Sequence, residues 1–266
     1  MSLDEAALKT LGKTSRTFYQ PIVLLPTPLR DAVGAAYLCM RAIDEVEDHP
    51  GLDPEQKVQL LDRISTRMRN PSTPAEWEAC FDGLVEALPE VTLRVGESVE
   101  MAPGQTRNMI SSATANMSVQ MGSWVRKAWA IHTEEDLELY TFDVAGRVGL
   151  LLNKLWHWHD GTQADNDHAV GFGRSLQAVN ILRNRDEDLE RGVDFFPDRW
   201  SRQDMIQYIE RQFGLAHAYM ASLSDGPAHA FSRIPLALAV ATVEAIRSGR
   251  EKLSRPEVLS LMDLSR

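Results

Sequence analysis

The sequence predicts an all-α fold, on three observations. Apolar residues recur three and four positions apart through most of the 266 residues, the period that gathers them on one helix face. Sustained alternation of β-branched residues, the mark of a half-buried strand, is hard to find. Proline, glycine and capping residues divide the chain into pieces of helical length.

The clearest helical segments are Leu29 to Val46, Pro54 to Met68, Glu76 to Leu88, Arg107 to Ala130, Glu134 to Trp158, Ala164 to Leu189, Ser201 to Ala221 and Ala228 to Leu253. Pro26 and Pro28 stand at the start of the first, Asp53-Pro54 opens the second, and Pro71 with Pro74 separates the second from the third. Thr133, followed by Glu134, Glu135 and Asp136, reads as a capped start with acids at the positive end of the helix dipole. Gly161, Gly192 and Gly226-Pro227 mark stops or turns. Eight helices with short joints, no repeat and no linker predict one helical domain over residues 1–266.

Composition narrows the functions. A net charge of -10, from 28 Lys+Arg against 38 Asp+Glu, argues against a general affinity for nucleic acid. An anionic ligand would then need a local arrangement of cations. Cys39 and Cys80 both fall inside apolar helical patterns and read as core thiols, which suits a reducing compartment. No run of about 18 apolar residues exists, and Met1 to Thr10 holds no apolar signal core. The expectation is a soluble, cytoplasmic protein without stable membrane insertion.

Two polar clusters interrupt this apolar pattern. From Tyr37 through Arg41 the chain is an apolar helix, and it ends in Asp44, Glu45, Glu47 and Asp48. Asp44 and Asp48 lie one turn apart on one face, so their charges repel, and by more when partly buried. A divalent cation would relieve that repulsion, and oxygen ligands suit magnesium, which takes further ligands from substrate phosphates. A solvated acidic helix end is the plainer alternative. In the second cluster Gln177, Asn180, Asn184 and Asp188 form one helical stripe, at separations of three, four and four. Amides disfavour helix interiors, so such a stripe suits the binding of an oxygen-rich ligand.

These clusters resemble the paired aspartate-rich motifs of the squalene and phytoene synthase family. Ser15-Arg16-Thr17-Phe18 resembles the family's early Ser-Arg/Lys-x-Phe segment, and Tyr37 to Asp48 its first acidic helix, in a form nearer squalene synthases. Tyr140, Val144-Ala145-Gly146 and Val148-Gly149 resemble the mid-chain helix, and Gln177 to Pro197 the second motif with its following loop. The resemblance covers roughly Ser15 to Leu253 and implies an isoprenoid synthase helical bundle with a central cavity. Across that cavity Asp44 and Asp48 would face Asn184 and Asp188, holding magnesium on the substrate diphosphates.

The resemblance also implies roles. Asp44, Asp48, Asn184 and Asp188 would be metal ligands. Arg16, Arg41 and Arg183 would grip phosphate oxygens, each against the alternative of a surface ion pair. Ser15, Phe18, Tyr37, Gln177 and Asn180 would line the substrate, and Tyr140 would guide a proton or face cationic carbon. The implied reaction is magnesium-dependent joining of two prenyl diphosphates head to head, with farnesyl diphosphate favoured. One position departs from the family pattern: Asn184 stands where an aspartate is usual. It can offer a carbonyl oxygen but one charge is lost, and Asp186, two residues on, faces elsewhere. That departure motivates two alternatives, a cyclase or diphosphatase acting on one prenyl diphosphate, and a noncatalytic prenyl-ligand binder. No Gly-rich fingerprint indicates a nicotinamide site, although NADPH use in the family does not require one.

Two further patterns read as structure. Trp156-His157-Trp158-His159-Asp160 does not bring both imidazoles to one side of a helix. The methionines at 101, 109, 117 and 121 read as apolar packing.

Overall fold

Each of the eight predicted segments forms helix in the computed structural model, which describes residues 2–15 and 17–263. In chain order the helices are α1 (Glu5–Thr14), α2 (Tyr19–Val23), α3 (Thr27–Glu47), α4 (Pro54–Arg69), α5 (Pro74–Cys80), α6 (Glu90–Leu93), α7 (Val95–Met101) and α8 (Gly104–Arg126). They continue as α9 (Glu134–Thr141), α10 (Arg147–Asp160), α11 (Asn166–Glu190), α12 (Arg202–Ser222), α13 (Pro227–Arg247) and α14 (Arg255–Asp263). A π-helical turn, Phe142–Gly146, joins α9 to α10. There is no strand among the described residues.

Three expected boundaries change. The segment Glu76 to Leu88 is helical only to Cys80 and continues as turns, with Gly83 at positive φ. The segment to Ala130 stops at Arg126, because Ala128 and Trp129 both take φ of 50° and leave the helix. The segment to Leu253 stops at Arg247, with Gly249 at positive φ before the separate α14.

The chain divides into two compact units, one of residues up to Ile22 with Pro26–Ala128, the other of Val23–Leu25 with Trp129 onward. In the first, α3 is buried along much of its length through Leu29, Ala32, Ala35, Leu38, Ala42, Ile43 and Val46. It packs on α6, α7 and α8, while α4 lies along α8. Polar side chains tie these helices by donating to carbonyls of the facing helix: Ser65 to Ala115 at 3.0 Å, Ser118 to Leu61 at 2.7 Å and Thr92 to Ala42 at 2.9 Å. Each donor is buried, so an unmade bond would leave a desolvated hydroxyl. The Asp53 side chain and Gln56 form a reciprocal capping box that starts α4.

In the second unit α11 is the central element, packed on α10, the π turn, α12 and α13. The Trp156 indole donates to the Tyr219 hydroxyl at 3.0 Å, which donates to Asn153 Oδ1 at 2.9 Å. Asn153 Nδ2 in turn donates to the Ala164 carbonyl and to Asn166 Oδ1, both at 3.2 Å. Burial pushes the Tyr219 hydroxyl up to about 12, so it stays a neutral donor. Thr133 and Asp136 make the expected cap of α9. Among the described residues α13 alone is long and apolar enough to cross a membrane, by length and composition. It packs on α11 and α12, and its Phe231, Ile234, Leu238 and Val243 are buried, as in a core helix.

The readings of cysteine, methionine and histidine as structure fit these surroundings. Cys39 and Cys80 are buried free thiols, and burial raises them to about 12 and about 11. Met101, Met117 and Met121 are buried and Met109 half-buried. His157 is exposed and His159 half-buried, two residues apart on α10.

Backbone contact sets how closely α11 meets its neighbours. A Cβ added at Gly149 would lie 2.2 Å from the Ala169 carbonyl oxygen, and one at Gly173 would lie 2.4 Å from that of Ala145. Ala at either position would gain about 1 kcal/mol in helix propensity over Gly. Overpacking against backbone that cannot rotate aside costs typically 1–3 kcal/mol or more. Gly149→Ala is therefore expected to lower the urea midpoint, whereas Gly214→Ala is expected to raise it. At exposed Gly214, inside α12, an added Cβ meets nothing within 4 Å.

Candidate active site

The first acidic cluster closes α3. Asp44 and Glu45 are half-buried, Glu47 is buried and Asp48 exposed, so the carboxylates straddle the point where a core helix emerges. Burial, with the nearby charges of Asp48 and Glu45 adding to it, pushes the Asp44 carboxyl up to about 7 against the opposing pull of Arg41. Arg41 pairs with Glu45 one turn on, at 2.5 Å. Its Nε is buried and without a hydrogen-bond partner, a donor suited to an anionic oxygen. Ser15 is buried and its Oγ accepts from the Phe18 backbone N–H at 2.8 Å, turning the chain after α1. The Phe18 ring then meets that of Tyr37, with centroids 6.2 Å apart. The first unit thus brings together Ser15, Phe18, Tyr37, Arg41, Asp44 and Asp48 along α3 and its approach. Arg16 lies outside the described residues.

One residue of this region escaped the sequence reading. Lys57 is buried on α4, and its Nζ donates to the Glu47 carbonyl at 2.6 Å, placing a cation at the negative end of α3 beneath the carboxylates. The signal was available, since Lys57 precedes Leu60, Leu61 and Ile64 at core spacing.

In the second unit the stripe lies on α11 as its spacing predicts. Gln177 and Asn184 are half-buried, Asn180 and Arg183 exposed, and Asp188 buried. Arg183 forks onto the two amides, Nη2 to Asn180 Oδ1 at 2.7 Å and Nε to Asn184 Oδ1 at 2.9 Å. Asn184 Nδ2 completes the cluster by donating to Asn180 Oδ1 at 3.1 Å. Asp188 pairs with Arg191 at 2.5 Å. Asp186 is highly exposed and pairs with Arg202 at 3.2 Å, in keeping with its facing away from the stripe.

Tyr140, next to last in α9, is buried, its ring stacked on Phe195 with centroids 4.7 Å and planes 21° apart. Immediately after it the helix widens into the π turn, a local form that recurs at functional sites. Buried Asp143 in that turn accepts from Arg147 Nε and Nη2 at 3.0 and 2.9 Å. The mid-chain motif is thus a helix with one widened turn, held by an ion pair at the i, i+4 spacing that the sequence displays.

Within each cluster the donors are oxygens, the kind magnesium takes, and in the first the surroundings of Asp44 oppose its ionisation. Because its folded-state value of about 7 exceeds the ordinary 3.8, the folded chain holds a proton that the unfolded chain releases, and stability falls as pH rises between those values. Asp44→Asn is expected to flatten that fall in thermal melts of the metal-free protein; an unchanged pH profile would show that Asp44 titrates normally.

Known proteins resemble this chain over most of its length. The squalene synthase of Candida albicans is 28% identical over 89% of this chain and 60% of its own length, and that of Homo sapiens 25% identical over 96% and 67%. The chain spans about 60 to 67% of the length of these two relatives. A solved structure of TcSQS in complex with a ligand superposes with a TM-score of 0.81 at 24% identity, covering 98% of this chain and 86% of that one. A dehydrosqualene synthase in complex with a ligand gives 0.70 at 17%, covering 98% and 94%. At these identities the two structures speak for the fold, and they agree with the all-α expectation. The squalene/phytoene synthase family profile matches residues 11–207, the stretch that holds all four motifs, and the chain belongs to that family.

Proposed function

We propose that this chain is a magnesium-dependent prenyltransferase that joins two prenyl diphosphates, by preference farnesyl diphosphate, head to head with loss of diphosphate. The reading is supported by the presence, in a chain of this family, of an acidic helix end on α3 and, in the other unit, of a polar stripe on α11. Asp44 and Asp48 on α3, and Asn184 and Asp188 on α11, are the residues that would supply oxygen ligands to magnesium. Bound magnesium stabilises the charge that accumulates on the departing diphosphate.

The chain's own residues do the rest. Arg41, through its unpartnered Nε, and Arg183, from its exposed fork, grip phosphate oxygens. Arg16, next to Ser15 in the early motif, does the same. Phe18 and Tyr37 line substrate beside α3, and Gln177 and Asn180 are substrate-lining residues of α11. Tyr140, whose ring is held flat on Phe195, faces developing positive charge on carbon or guides a proton from it. The chain acts as a single-domain, soluble, cytoplasmic protein without stable membrane insertion; the partial burial of α13 supports the last of these alone.

A second reading rests on Asn184. Its carbonyl oxygen already accepts from Arg183, and a neutral amide brings less charge to a metal than a carboxylate. A site so weakened suits ionisation of a single prenyl diphosphate, followed by proton loss, cyclisation or capture of water.

Incubation with magnesium and each prenyl diphosphate, with products identified by mass spectrometry, separates these readings. A coupled hydrocarbon or alcohol is expected, and monomeric terpenoids alone would overturn head-to-head joining. Asp48→Ala is expected to abolish magnesium-dependent diphosphate release with the helix still folded, since repulsion along α3 falls; undiminished release would remove Asp48 from the site. For Asn184→Asp, one added charge-assisted contact is worth about 1.5 to 3 kcal/mol, or roughly tenfold or more in turnover when expressed in the transition state. The variant is therefore expected to need less magnesium and to turn over faster. Normal magnesium binding with only monomeric products would leave the site standing and overturn the choice of reaction.

A further inference from the structure

Arg185 follows Asn184 on α11 yet takes no part in the polar stripe. Its guanidinium forks onto Asp194 in the loop after the helix, Nη2 to Oδ2 at 2.8 Å and Nε to Oδ1 at 3.3 Å. The same guanidinium lies 3.7 Å from the centroid of the Phe196 ring. Asp194 Oδ1 also accepts the Phe196 backbone N–H at 3.0 Å, so one carboxylate is bonded both to the helix and to the loop it belongs to. Gly192, at φ of 80°, ends α11, and Val193 N–H donates back to the Asp188 carbonyl at 3.0 Å, which starts the loop on its return. Asp194 and Phe196 are therefore both fixed from one helical position. Phe195, between them, is the residue that stacks on Tyr140.

We infer that Arg185 is a positioning residue: by clamping Asp194 and Phe196 it fixes the Phe195 ring, and through that ring the orientation of Tyr140. The inference rests on the proposed role of Tyr140 in prenyl transfer and adds a mechanical link from the second acidic motif to it. Arginine suits the task because it supplies a two-point fork to a carboxylate and a flat face to an aromatic ring at once, which an ammonium cannot. An exposed ion pair contributes little, but both partners here are partly shielded and the carboxylate has a backbone donor to hold as well.

The test reads the tyrosine ring directly. The protein contains five tyrosines. Labelling with 3-fluorotyrosine and recording fluorine NMR gives their signals, with Tyr140 assigned by its disappearance in Tyr140→Phe. In Arg185→Gln the Tyr140 signal is expected to shift or broaden while the others hold. Turnover of farnesyl diphosphate is expected to fall about tenfold with KM nearly unchanged, as for a small misplacement of a reacting group. Asp194→Asn is expected to give the same signature, and the double variant no further loss, because both substitutions open one clamp. Arg185→Lys keeps the charge without the fork and is expected not to restore the Tyr140 signal; it also serves should Arg185→Gln fail to fold. A Tyr140 signal unmoved in folded Arg185→Gln or Arg185→Lys would overturn the inference, as would movement of all tyrosine signals together or a shifted signal with unchanged turnover. Wild-type protein that releases no diphosphate would defeat the proposed function instead, and the clamp would then stand or fall on the NMR signals alone.

Discussion

The second unit is organised by how near α11 comes to the backbone of the run from the π turn to α10. Gly149 meets the Ala169 carbonyl and Gly173 meets that of Ala145, distances that no side chain tolerates. Because these contacts are between backbones, they fix rotation as well as separation, and a helix so fixed presents a defined stripe. Gln177, Asn180, Asn184 and Asp188 follow Gly173 on the same rigid rod. Their polarity would be a liability on a helix free to roll; on one held by backbone it becomes an address.

In the first unit the constraint is electrostatic. A helix buried at most positions from Leu29 to Val46 delivers four carboxylates to the place where it leaves the core. Lys57 answers the backbone end of that helix, and Arg41 answers part of the side-chain charge through Glu45. Asp44 is left with burial and like charge against it. The proposed magnesium would relieve that conflict by bringing positive charge to the helix end.

Much of this was legible in the sequence, and what was not has identifiable reasons. The long helices follow from period and punctuation, and the caps at Asp53 and Thr133 from residue type alone. Helices of four to ten residues such as α1, α6 and α7 are too short for periodicity to declare them. The π turn after Tyr140 adds no residue type that marks it, since Phe142 to Gly146 reads equally well as ordinary helix. Among site residues the stripe and the acidic cluster were plain because polar groups interrupted an apolar pattern. Arg185 was not, because its partners lie nine and eleven residues away in a loop whose path only the fold supplies.

The two serine ties between α4 and α8 carry a consequence for how chains of this kind can differ in length. Ser65 reaches the Ala115 carbonyl and Ser118 reaches that of Leu61, so the helices are pinned antiparallel at two rungs. A single inserted or deleted residue inside either helix, between its two pinned positions, would rotate one rung by about 100° and strand a buried hydroxyl. The segment 70–103 that joins them is tied at both flanks, by Glu76 to Arg67 of α4 and by Thr92 to the Ala42 carbonyl of α3, with turns at 81–88 between. Insertions and deletions in this part of the first unit should therefore accumulate in the turns at 81–88, leaving α4 and α8 constant in length.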